Sequence, residues 1–516
     1  MRIPQIFISS LHPTDKPDTQ TSRRRYTPFA MKLLVILGAV IAATTAAPGF
    51  TQLQVQTSNG IVQGTVNSSY PNVRQFLGIP YAKPPVGDRR WLPPQGLEDH
   101  STGLVNATAM PPACPQSLIA MGKGPFGKFA PQTMVAGAIN EDCLSLSVWA
   151  PNNGKKDLPV IIWLHGGQYL YGGTNVRPWI PSPWIERSQE HIIVAVQYRL
   201  NIFGFPAARG LKDQNLGILD QRLGMEWVRR NIAQFGGNPE QMILWGESAG
   251  ASSTDILNFA YPDDPIVQGF ACNSGSAFLT VDTRSNDVQG SNFSTVASHF
   301  GCAGSAEKEL ACLRSVPAAK ITSYLGAGGG SNLTFLPYID DKVVFNNYTQ
   351  QYHRRHVSGK PALFGSNKDE GTLMAGGYDS PEAREITYSK FECPVPYSTA
   401  RREELGLTTY RYQYRGNFSN IDSLPSLGAY HSSELPLIFG TADDVFGPNT
   451  PFEKAVSQEM QDLWVAFAKD PETGLKRQGW PISTSDKFMA LGEKEVSSVL
   501  LDVTIDGPCE DYYSLY

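Results

Sequence analysis

The stretch Met242-Ile243-Leu244-Trp245-Gly246-Glu247-Ser248-Ala249-Gly250 joins an apolar run to a serine flanked by glycines. The apolar run has the length of a buried strand, and residues 252–259 beyond it are compatible with a helix. The chain must therefore turn sharply, and side chains at Gly246 or Gly250 would collide in such a turn. Ser248 is expected to project from it, close to a helix N-terminus, where developing negative charge is stabilised.

Other apolar runs surround this stretch and are bounded by glycine or polar loops. They are Val160-Ile161-Ile162-Trp163-Leu164, Ile192-Ile193-Val194-Ala195-Val196 and Pro361-Ala362-Leu363-Phe364. Such runs predict strands buried on both faces of a largely parallel sheet. A helical apolar face runs from Leu219 to Phe235, and Gly236-Gly237-Asn238-Pro239 is expected to end that helix. This alternation predicts an α/β fold class, with a central, mostly parallel sheet flanked by helices.

Composition excludes several classes of protein. The 516 residues are 41% hydrophobic and 18% charged, which excludes a disordered chain. Because 43 Lys and Arg face 48 Asp and Glu, no basic field exists and no nucleic-acid partner is expected. The cysteines lack the paired short spacings of a zinc site, and we expect neither a metal nor a cofactor. No repeat or linker divides the chain, so residues 47–516 are predicted to form a single domain.

The N-terminal region has the pattern of a processed segment. Met31-Lys32, an apolar run to Ala43 and small residues up to Ala47 predict a signal peptide over residues 31–46. Residues 1–30 form an extension that signal peptides lack, which favours a translation start at Met31 over an internal anchor. The apolar run is shorter than the roughly 20 residues that span a bilayer. The protein is therefore predicted to be secreted, without a stable membrane anchor.

Sequons and cysteines fit an oxidising, glycosylating compartment. N-glycosylation is predicted at Asn67, Asn106, Asn292, Asn332, Asn347 and Asn417, each of which begins an Asn-x-Ser/Thr sequon. Disulfides form in the same compartment. Since the chain has seven cysteines, at least one stays unpaired.

A nucleophilic serine needs a base, and the order serine, acid, histidine restricts the choice. Of the histidines beyond Ser248, His353 and His356 lie in a basic run, and His299 precedes any credible acid-bearing strand. His431 follows the strand-like residues 408–414 in a small, polar loop and is the candidate base. The acid should follow the apolar run at residues 361–364. Spacing alone cannot decide whether Asp369 or Glu370 is the acid.

These residues resemble the type-B carboxylesterase and lipase family, which includes the cholinesterases and has the α/β-hydrolase fold. The resemblance covers about residues 60–481. The matching motifs are Phe76-Leu77-Gly78-Ile79-Pro80-Tyr81-Ala82, Pro84-Pro85-Val86-Gly87, Glu141-Asp142-Cys143-Leu144, Trp163-Leu164-His165-Gly166-Gly167, Tyr198-Arg199-Leu200, Asn215-Leu216-Gly217, Asp220-Gln221 and Gly246 to Gly250.

The resemblance implies a carboxylic ester hydrolase in which Ser248 is the nucleophile, His431 the base and Glu370 the acid. The N–H of Ala249 is expected in the oxyanion hole, together with donors from the loop at Gly167 and Gln168. The family usually has a third glycine where this chain has Gln168. That side chain is expected to narrow the loop and to limit bulky alcohols.

The family also implies three disulfides and one free thiol. The expected pairs are Cys114 with Cys143, Cys302 with Cys312 and Cys393 with Cys509, which leaves Cys272 as a buried thiol. Glu247 is expected either to face the substrate pocket or to pair with an arginine.

The chain departs from the family between Glu370 and His431, which are only 61 positions apart. The family places a longer helical segment there, which walls the substrate gorge. The helices missing between about Gly376 and Tyr388 indicate either a natural deletion or an exon lost in translating the gene.

Three readings of the function follow: a secreted esterase is favoured, a lipase comes next and a non-catalytic adhesion protein last. The loop from Cys114 to Cys143 contains no Trp, which disfavours a cholinesterase, because cation–π binding of choline is strongest with Trp. The same loop is rich in apolar residues. It is expected to be a fixed wall rather than a mobile lid, because such apolar residues are ordinarily buried.

Overall fold

An 11-stranded mixed sheet forms the centre of the computed structural model, which describes residues 53–98, 103–279, 287, 289–326, 330, 332–501 and 506–516. The predicted N-terminal extension and signal peptide lie outside these residues. These described residues belong to one compact unit. None of the helices within the described ranges is long and apolar enough to cross a bilayer.

The strands fall into this large sheet and a three-stranded one. They are β1 (Gln54–Thr57), β2 (Gly60–Gln63), β3 (Thr65–Asn67), β4 (Tyr70–Pro80), β5 (Leu104–Asn106), β6 (Ser145–Pro151), β7 (Leu158–Leu164), β8 (Ile192–Val196), β9 (Gly237–Glu247), β10 (Gly269–Asn273), β11 (Ala362–Asn367), β12 (Thr409–Tyr414), β13 (Lys487–Leu491) and β14 (Ser497–Leu501). The small sheet has the order β1-β2-β5, and the large one β14-β13-β12-β11-β10-β9-β7-β8-β6-β4-β3.

Helices of varied length connect the strands. They are α1 (Leu118–Lys123), α2 (Pro125–Phe129), α3 (Ser182–Ser188), α4 (Asn201–Gly204), α5 (Leu216–Phe235), α6 (Ala249–Ala260), α7 (Ser291–His299), α8 (Ala306–Arg314), α9 (Ala318–Gly326), α10 (Tyr348–His353), α11 (Pro381–Ile386), α12 (Pro394–Glu404), α13 (Leu435–Phe439), α14 (Ala442–Phe446), α15 (Pro451–Lys469) and α16 (Gly474–Arg477). A π-helix spans Thr387–Glu392, and 3₁₀ turns span Gly87–Arg89, Pro131–Thr133, Arg177–Trp179, Pro425–Leu427, Ser483–Ser485 and Gly507–Leu515.

The middle of the large sheet is parallel, as predicted. Strands from β8 through β7, β9, β10, β11 and β12 to β13 pair in parallel, whereas the pairs at both edges are antiparallel. Side chains alternate between the two faces of a strand, so β7 buries Val160 and Ile162 in one core cluster and Ile161 and Trp163 in another. The apolar run is continuous because helices cover both faces.

Several boundaries differ from the predicted ones. Helix α5 begins at Leu216, three residues before the predicted start, and ends at Phe235, followed by Gly236, whose φ of 101° only glycine adopts readily. Gly237 does not continue the turn, because it pairs with Leu158 and begins β9. Helix α6 begins at Ala249, directly after the serine, rather than near residue 252.

The strand at the apolar run 361–364 extends beyond that run, because Gly365, Ser366 and Asn367 complete β11. Gly365 pairs with Tyr412 on β12, and a Cβ at Gly365 would lie 2.0 Å from the Tyr412 ring. A glycine within a strand often marks such a close approach. Strand β11 therefore ends only three residues before Glu370.

Three disulfides join the pairs that the family resemblance implied. They are Cys114–Cys143, Cys302–Cys312 and Cys393–Cys509. Cys272 is a free, buried thiol on β10. The first disulfide closes the loop that carries α1 and α2, and the third joins the residue after the π-helix to the C-terminal segment.

Candidate active site

Ser248 lies in the turn between β9 and α6, with φ 56° and ψ −123°. Few non-glycine residues adopt a positive φ, and such strain is concentrated at functional sites. A Cβ at Gly246 would lie 2.2 Å from the Gly250 carbonyl oxygen, and one at Gly250 would lie 2.0 Å from the Leu164 carbonyl oxygen. The turn thus requires both glycines, and it leaves Ser248 on the wall of a cavity of about 260 Å³.

His431 lines the same cavity and is held by Glu370. Its Nδ1 lies 2.6 Å from Glu370 Oε2, and Glu370 Oε1 accepts a hydrogen bond from the backbone N–H of Asn367 at 2.7 Å. Because an ionised carboxylate only accepts hydrogen bonds, the proton of this contact belongs on Nδ1. His299, His353 and His356 are absent from the described lining of this cavity.

Asp369, the alternative acid, points elsewhere. Its Oδ2 accepts a hydrogen bond from the backbone N–H of Ala429 at 2.9 Å. Asp369 therefore supports the loop that leads to His431 but does not contact the imidazole. The two neighbouring carboxylates have different partners because their side chains leave the backbone in different directions.

Glu247 faces His431 within the cavity. Glu247 Oε1 lies 3.1 Å from His431 Nε2 and accepts a hydrogen bond from the Ser432 hydroxyl at 2.5 Å. Among the described residues, the ion-pair partner of Glu247 is His431 and not an arginine, so the expected alternative of an arginine partner is wrong. No hydrogen bond joins Ser248 to His431 in the described part of the chain. Such bonds are often long in unliganded active sites and tighten when substrate binds.

Burial and charge oppose each other at His431. Burial lowers its pKa, but the carboxylates of Glu247 and Glu370 outweigh that effect and raise the pKa to about 9. Burial raises the pKa of Glu247, and the positive charge of His431 opposes this shift. The negative charge of Glu247 therefore favours the protonated form of His431. Nε2 can accept a proton only when the imidazole is neutral.

A buried amide network, which sequence reasoning missed, supports Glu370 and the loop at His431. Asn367 Nδ2 donates to the Tyr430 carbonyl oxygen and to Glu434 Oε2, both at 2.7 Å, and Asn273 Nδ2 donates to Glu434 Oε1 at 3.3 Å. Burial raises the pKa of Glu434 to about 8, and the charge of Glu247 adds to the shift. Asn273 and Asn367 end neighbouring parallel strands. Polar residues at the ends of such strands often lie at a functional site, and this position in the sequence could have identified them.

The loop after β7 passes directly against Ser248. A Cβ at Gly166 would lie 2.9 Å from Ser248 Cβ, and one at Gly167 would lie 2.0 Å from the Tyr171 carbonyl oxygen. Gly167 has φ 108° and Gln168 has φ 57°, so a glutamine occupies a backbone conformation that a third glycine would adopt without strain. Gly167, Gln168 and Ala249 all line the cavity beside Ser248.

Aromatic side chains from two segments enclose His431. The Phe126 ring of α2 lies 6.2 Å from the imidazole centroid, and the Phe391 ring of the π-helix lies 4.5 Å from it. The loop closed by the first disulfide and the short segment before His431 thus both wall the cavity. The segment between Glu370 and His431 is shorter than in the family, but it still forms a wall on this side of the cavity.

The six sequon asparagines differ in accessibility. Asn67, Asn106, Asn332, Asn347 and Asn417 are exposed. Asn292 is half-buried on α7, and its Nδ2 donates a hydrogen bond to the Thr334 carbonyl oxygen at 2.9 Å. The Asn417 Nδ2 also donates a hydrogen bond, to the Pro425 carbonyl oxygen at 3.2 Å, so only the lower exposure of its side chain makes Asn292 the least favourable of the six.

Comparison with known proteins matches the chain to a family model and to several named lipases and esterases. The carboxylesterase family model matches residues 51–387. The chain is 40% identical to secreted lipase 5 of Gibberella zeae, over 88% of this chain and 92% of that protein. It is 41% identical to chlorogenic acid esterase of Aspergillus niger, over 86% and 88% of the two chains. It is 26% identical to acetylcholinesterase of Bungarus fasciatus, over 89% and 85%.

Proposed function

The chain belongs to the carboxylesterase family and is a carboxylic ester hydrolase, and we propose that it cleaves esters through an acyl-enzyme on Ser248. In this proposal His431 is the base and Glu370 is the acid that orients it. The 2.6 Å contact between Glu370 and His431, beside the strained Ser248 in one cavity, carries the assignment.

The proposed reaction has two halves. His431 Nε2 takes the hydroxyl proton as Ser248 Oγ attacks the ester carbonyl, and Glu370 stabilises the imidazolium that forms. The C–O bond to the alcohol then breaks, and His431 returns the proton to the leaving oxygen. Water next attacks the acyl-enzyme with the same base, which releases the carboxylic acid and restores Ser248.

The tetrahedral intermediate places a negative charge on the former carbonyl oxygen. We assign its stabilisation to the N–H groups of Gly167, Gln168 and Ala249, which line the cavity next to Ser248. Loss of one such donor typically costs about a hundred- to thousand-fold in turnover. Gln168 donates from its backbone, so its side chain does not remove the donor.

Glu247 sets the pH range of this reaction, so replacing it with Gln should shift the pH profile. His431 must be neutral to act as a base, and kcat/KM falls as the pH drops through its pKa. Removing the negative charge of Glu247 lowers this pKa, so the acidic limb should move down by about 1–3 pH units. Glu392→Gln is the control, because Glu392 is equally buried but bonded to Ser366 and Gln413. An unchanged limb in Glu247→Gln would contradict this role.

We further propose that the substrates are soluble short- to medium-chain esters. Met121 and Phe129, in the segment that carries α1 and α2, are only 4% and 8% exposed, and Phe126 lies against His431. This packing supports a fixed wall over the site. The relatives include a lipase and an esterase by name, so family membership alone leaves the chain length open.

The rate should accordingly saturate below the solubility limit of each substrate in a series of 4-nitrophenyl esters from acetate to palmitate. Ile119 on α1 is 56% exposed and lies outside the cavity, so Ile119→Ser should leave these rates unchanged. A sharp rise in rate when the substrate forms an emulsion, abolished by Ile119→Ser, would identify a lid that opens on lipid and make the protein a lipase.

We also propose that the protein is secreted, since two of the relatives are named as secreted lipases and the sequence carries a signal-peptide pattern. The N-terminus of the secreted protein should lie near Ala47, and endoglycosidase should reduce its mass. Glycopeptide mapping should find less glycan at Asn292 than at exposed Asn332, because the Asn292 side chain is half-buried. Secreted material that retains residues 1–30 would contradict the processing.

A further inference from the structure

The catalytic cavity opens to solvent at a small part of its lining. Of the described residues that line it, only Gln168 and Thr334 are exposed, whereas the others are buried or half-buried. Ser248 and His431 are 7% and 2% exposed. The opening of the cavity therefore lies at Gln168 and Thr334, and we call these two residues the entrance.

Thr334 also belongs to a glycosylation sequon. It is the third residue of Asn332-Leu333-Thr334, in which Asn332 is exposed. The other five sequons begin at Asn67, Asn106, Asn292, Asn347 and Asn417. None of these five contributes a residue to the described lining of the cavity. Among the six predicted glycans, the one on Asn332 is thus the one attached beside the entrance.

The segment that carries this sequon is anchored to the body of the protein. Phe335 is 1% exposed and belongs to a buried apolar cluster, against which Leu333 packs. The Thr334 carbonyl oxygen accepts a hydrogen bond from Asn292 Nδ2 at 2.9 Å. A glycan on Asn332 therefore has a fixed base that stays beside the entrance.

The size of an N-linked glycan lets it reach the entrance from this base. A chain spans at most about 3.6 Å per residue, so the Cα atoms of Asn332 and Thr334 are no more than about 7 Å apart. The glycan is a bulky, hydrated oligosaccharide that extends farther than this separation. Its sugars thus occupy the solvent in front of the entrance, where they obstruct large molecules more than small ones.

We infer that the glycan on Asn332 screens the entrance of the catalytic cavity and restricts the enzyme to small, dissolved esters. This inference rests on the proposed function and adds a means of size selection to it. A small ester passes the sugars and reaches Ser248, whereas an ester carried on a polymer is held outside. Because the glycan acts on entry, it lowers kcat/KM for the large ester and leaves hydrolysis of the small one unchanged.

Two soluble substrates with the same leaving group test this screening: 4-nitrophenyl acetate and the 4-nitrophenyl ester of a carboxymethylated polyethylene glycol. Asn332→Gln removes the glycan and should raise kcat/KM for the polymer ester by about tenfold, within the range over which association rates of related complexes vary. Acetate hydrolysis should stay at the wild-type rate. An unchanged ratio of the two kcat/KM values would overturn the inference.

Asn67→Gln is the matched control for this variant. Asn67 also begins a sequon and is exposed, but it lies on the edge strand β3 and outside the cavity lining. Its ratio of polymer-ester to acetate hydrolysis should equal that of the wild type. A rise as large as the one in Asn332→Gln would show that glycans obstruct the polymer irrespective of their position, and the inference would fail.

Trimming the glycans gives the same comparison without a substitution. An endoglycosidase that leaves only the first sugar on each Asn should raise polymer-ester hydrolysis by the wild type and by Asn67→Gln, but not by Asn332→Gln. No gain in the trimmed wild type, or an equal gain in Asn332→Gln, would contradict the screening. Glycopeptide mapping of the untreated wild type accompanies the test, and an unoccupied Asn332 would also overturn the inference.

Failure of this inference can be separated from failure of the proposed function. Absence of acetate hydrolysis by the wild type counts against the proposed function, because acetate is small enough to pass the glycan. Normal acetate hydrolysis with the same polymer-ester rate before and after removal of the Asn332 glycan counts against the screening alone.

Discussion

Replacing Ser248 with Ala should lower kcat for ester hydrolysis by about a million-fold, the scale seen when the nucleophile of a catalytic triad is removed. In the proposed mechanism the acyl-enzyme forms on the oxygen at this position, whereas cavity binding and the proposed oxyanion donors remain in the variant. The fold should be preserved, because Ala removes one oxygen from a residue whose side chain makes no hydrogen bond among those described. The measurements are kcat, the melting temperature and labelling by a fluorophosphonate probe.

Ser252→Ala is the matched control for this experiment. Ser252 lines the same cavity one turn along α6, but its hydroxyl donates to the Ser276 carbonyl oxygen at 2.9 Å. The control should keep both activity and labelling. Labelling of Ser248→Ala at the wild-type level would show that another residue is the nucleophile.

The second large effect is expected for Glu370→Gln, with a fall in kcat of about ten-thousand-fold. Gln preserves the size of the side chain but removes the charge that stabilises the imidazolium. Its amide group can also donate to Nδ1, which would favour the tautomer with the proton on Nε2. Such an imidazole cannot accept the proton of Ser248.

Asp369→Asn separates the two neighbouring acids. The substituted amide side chain would still have an oxygen to accept the Ala429 N–H, so this variant should retain kcat within a few-fold of wild type. Both variants should be assayed across pH, so that a displaced optimum is not taken for a lost rate. An inactive Asp369→Asn beside an active Glu370→Gln would reverse the assignment of the acid.

The turn at Ser248 could be predicted from the sequence because its cause is local. Gly246 and Gly250 are required by atoms within a few ångströms, and that steric requirement is visible in the motif itself. The same holds for Gly236, whose left-handed conformation ends α5. Continuous apolar runs likewise indicated the parallel strands, because strands covered on both faces have few polar positions.

The choice between Asp369 and Glu370 needed the family resemblance, because spacing cannot distinguish adjacent residues. Only the folded chain shows that Asp369 accepts from Ala429, whereas Glu370 contacts His431. Glu247 is a similar case. Its partner Ser432 is 185 positions away, so the sequence could not exclude an arginine partner.

The supporting network was missed for the same reason. Asn367, Asn273 and Glu434 come from three segments, and each is an ordinary polar residue in its local sequence. They acquire a shared role only when β10, β11 and the loop at His431 meet, because burial leaves their polar atoms no partner except one another. Local backbone sterics and apolar patterning thus determined the fold and the turn that carries Ser248, whereas long-range contacts between buried polar groups decided how Glu370 and His431 are held.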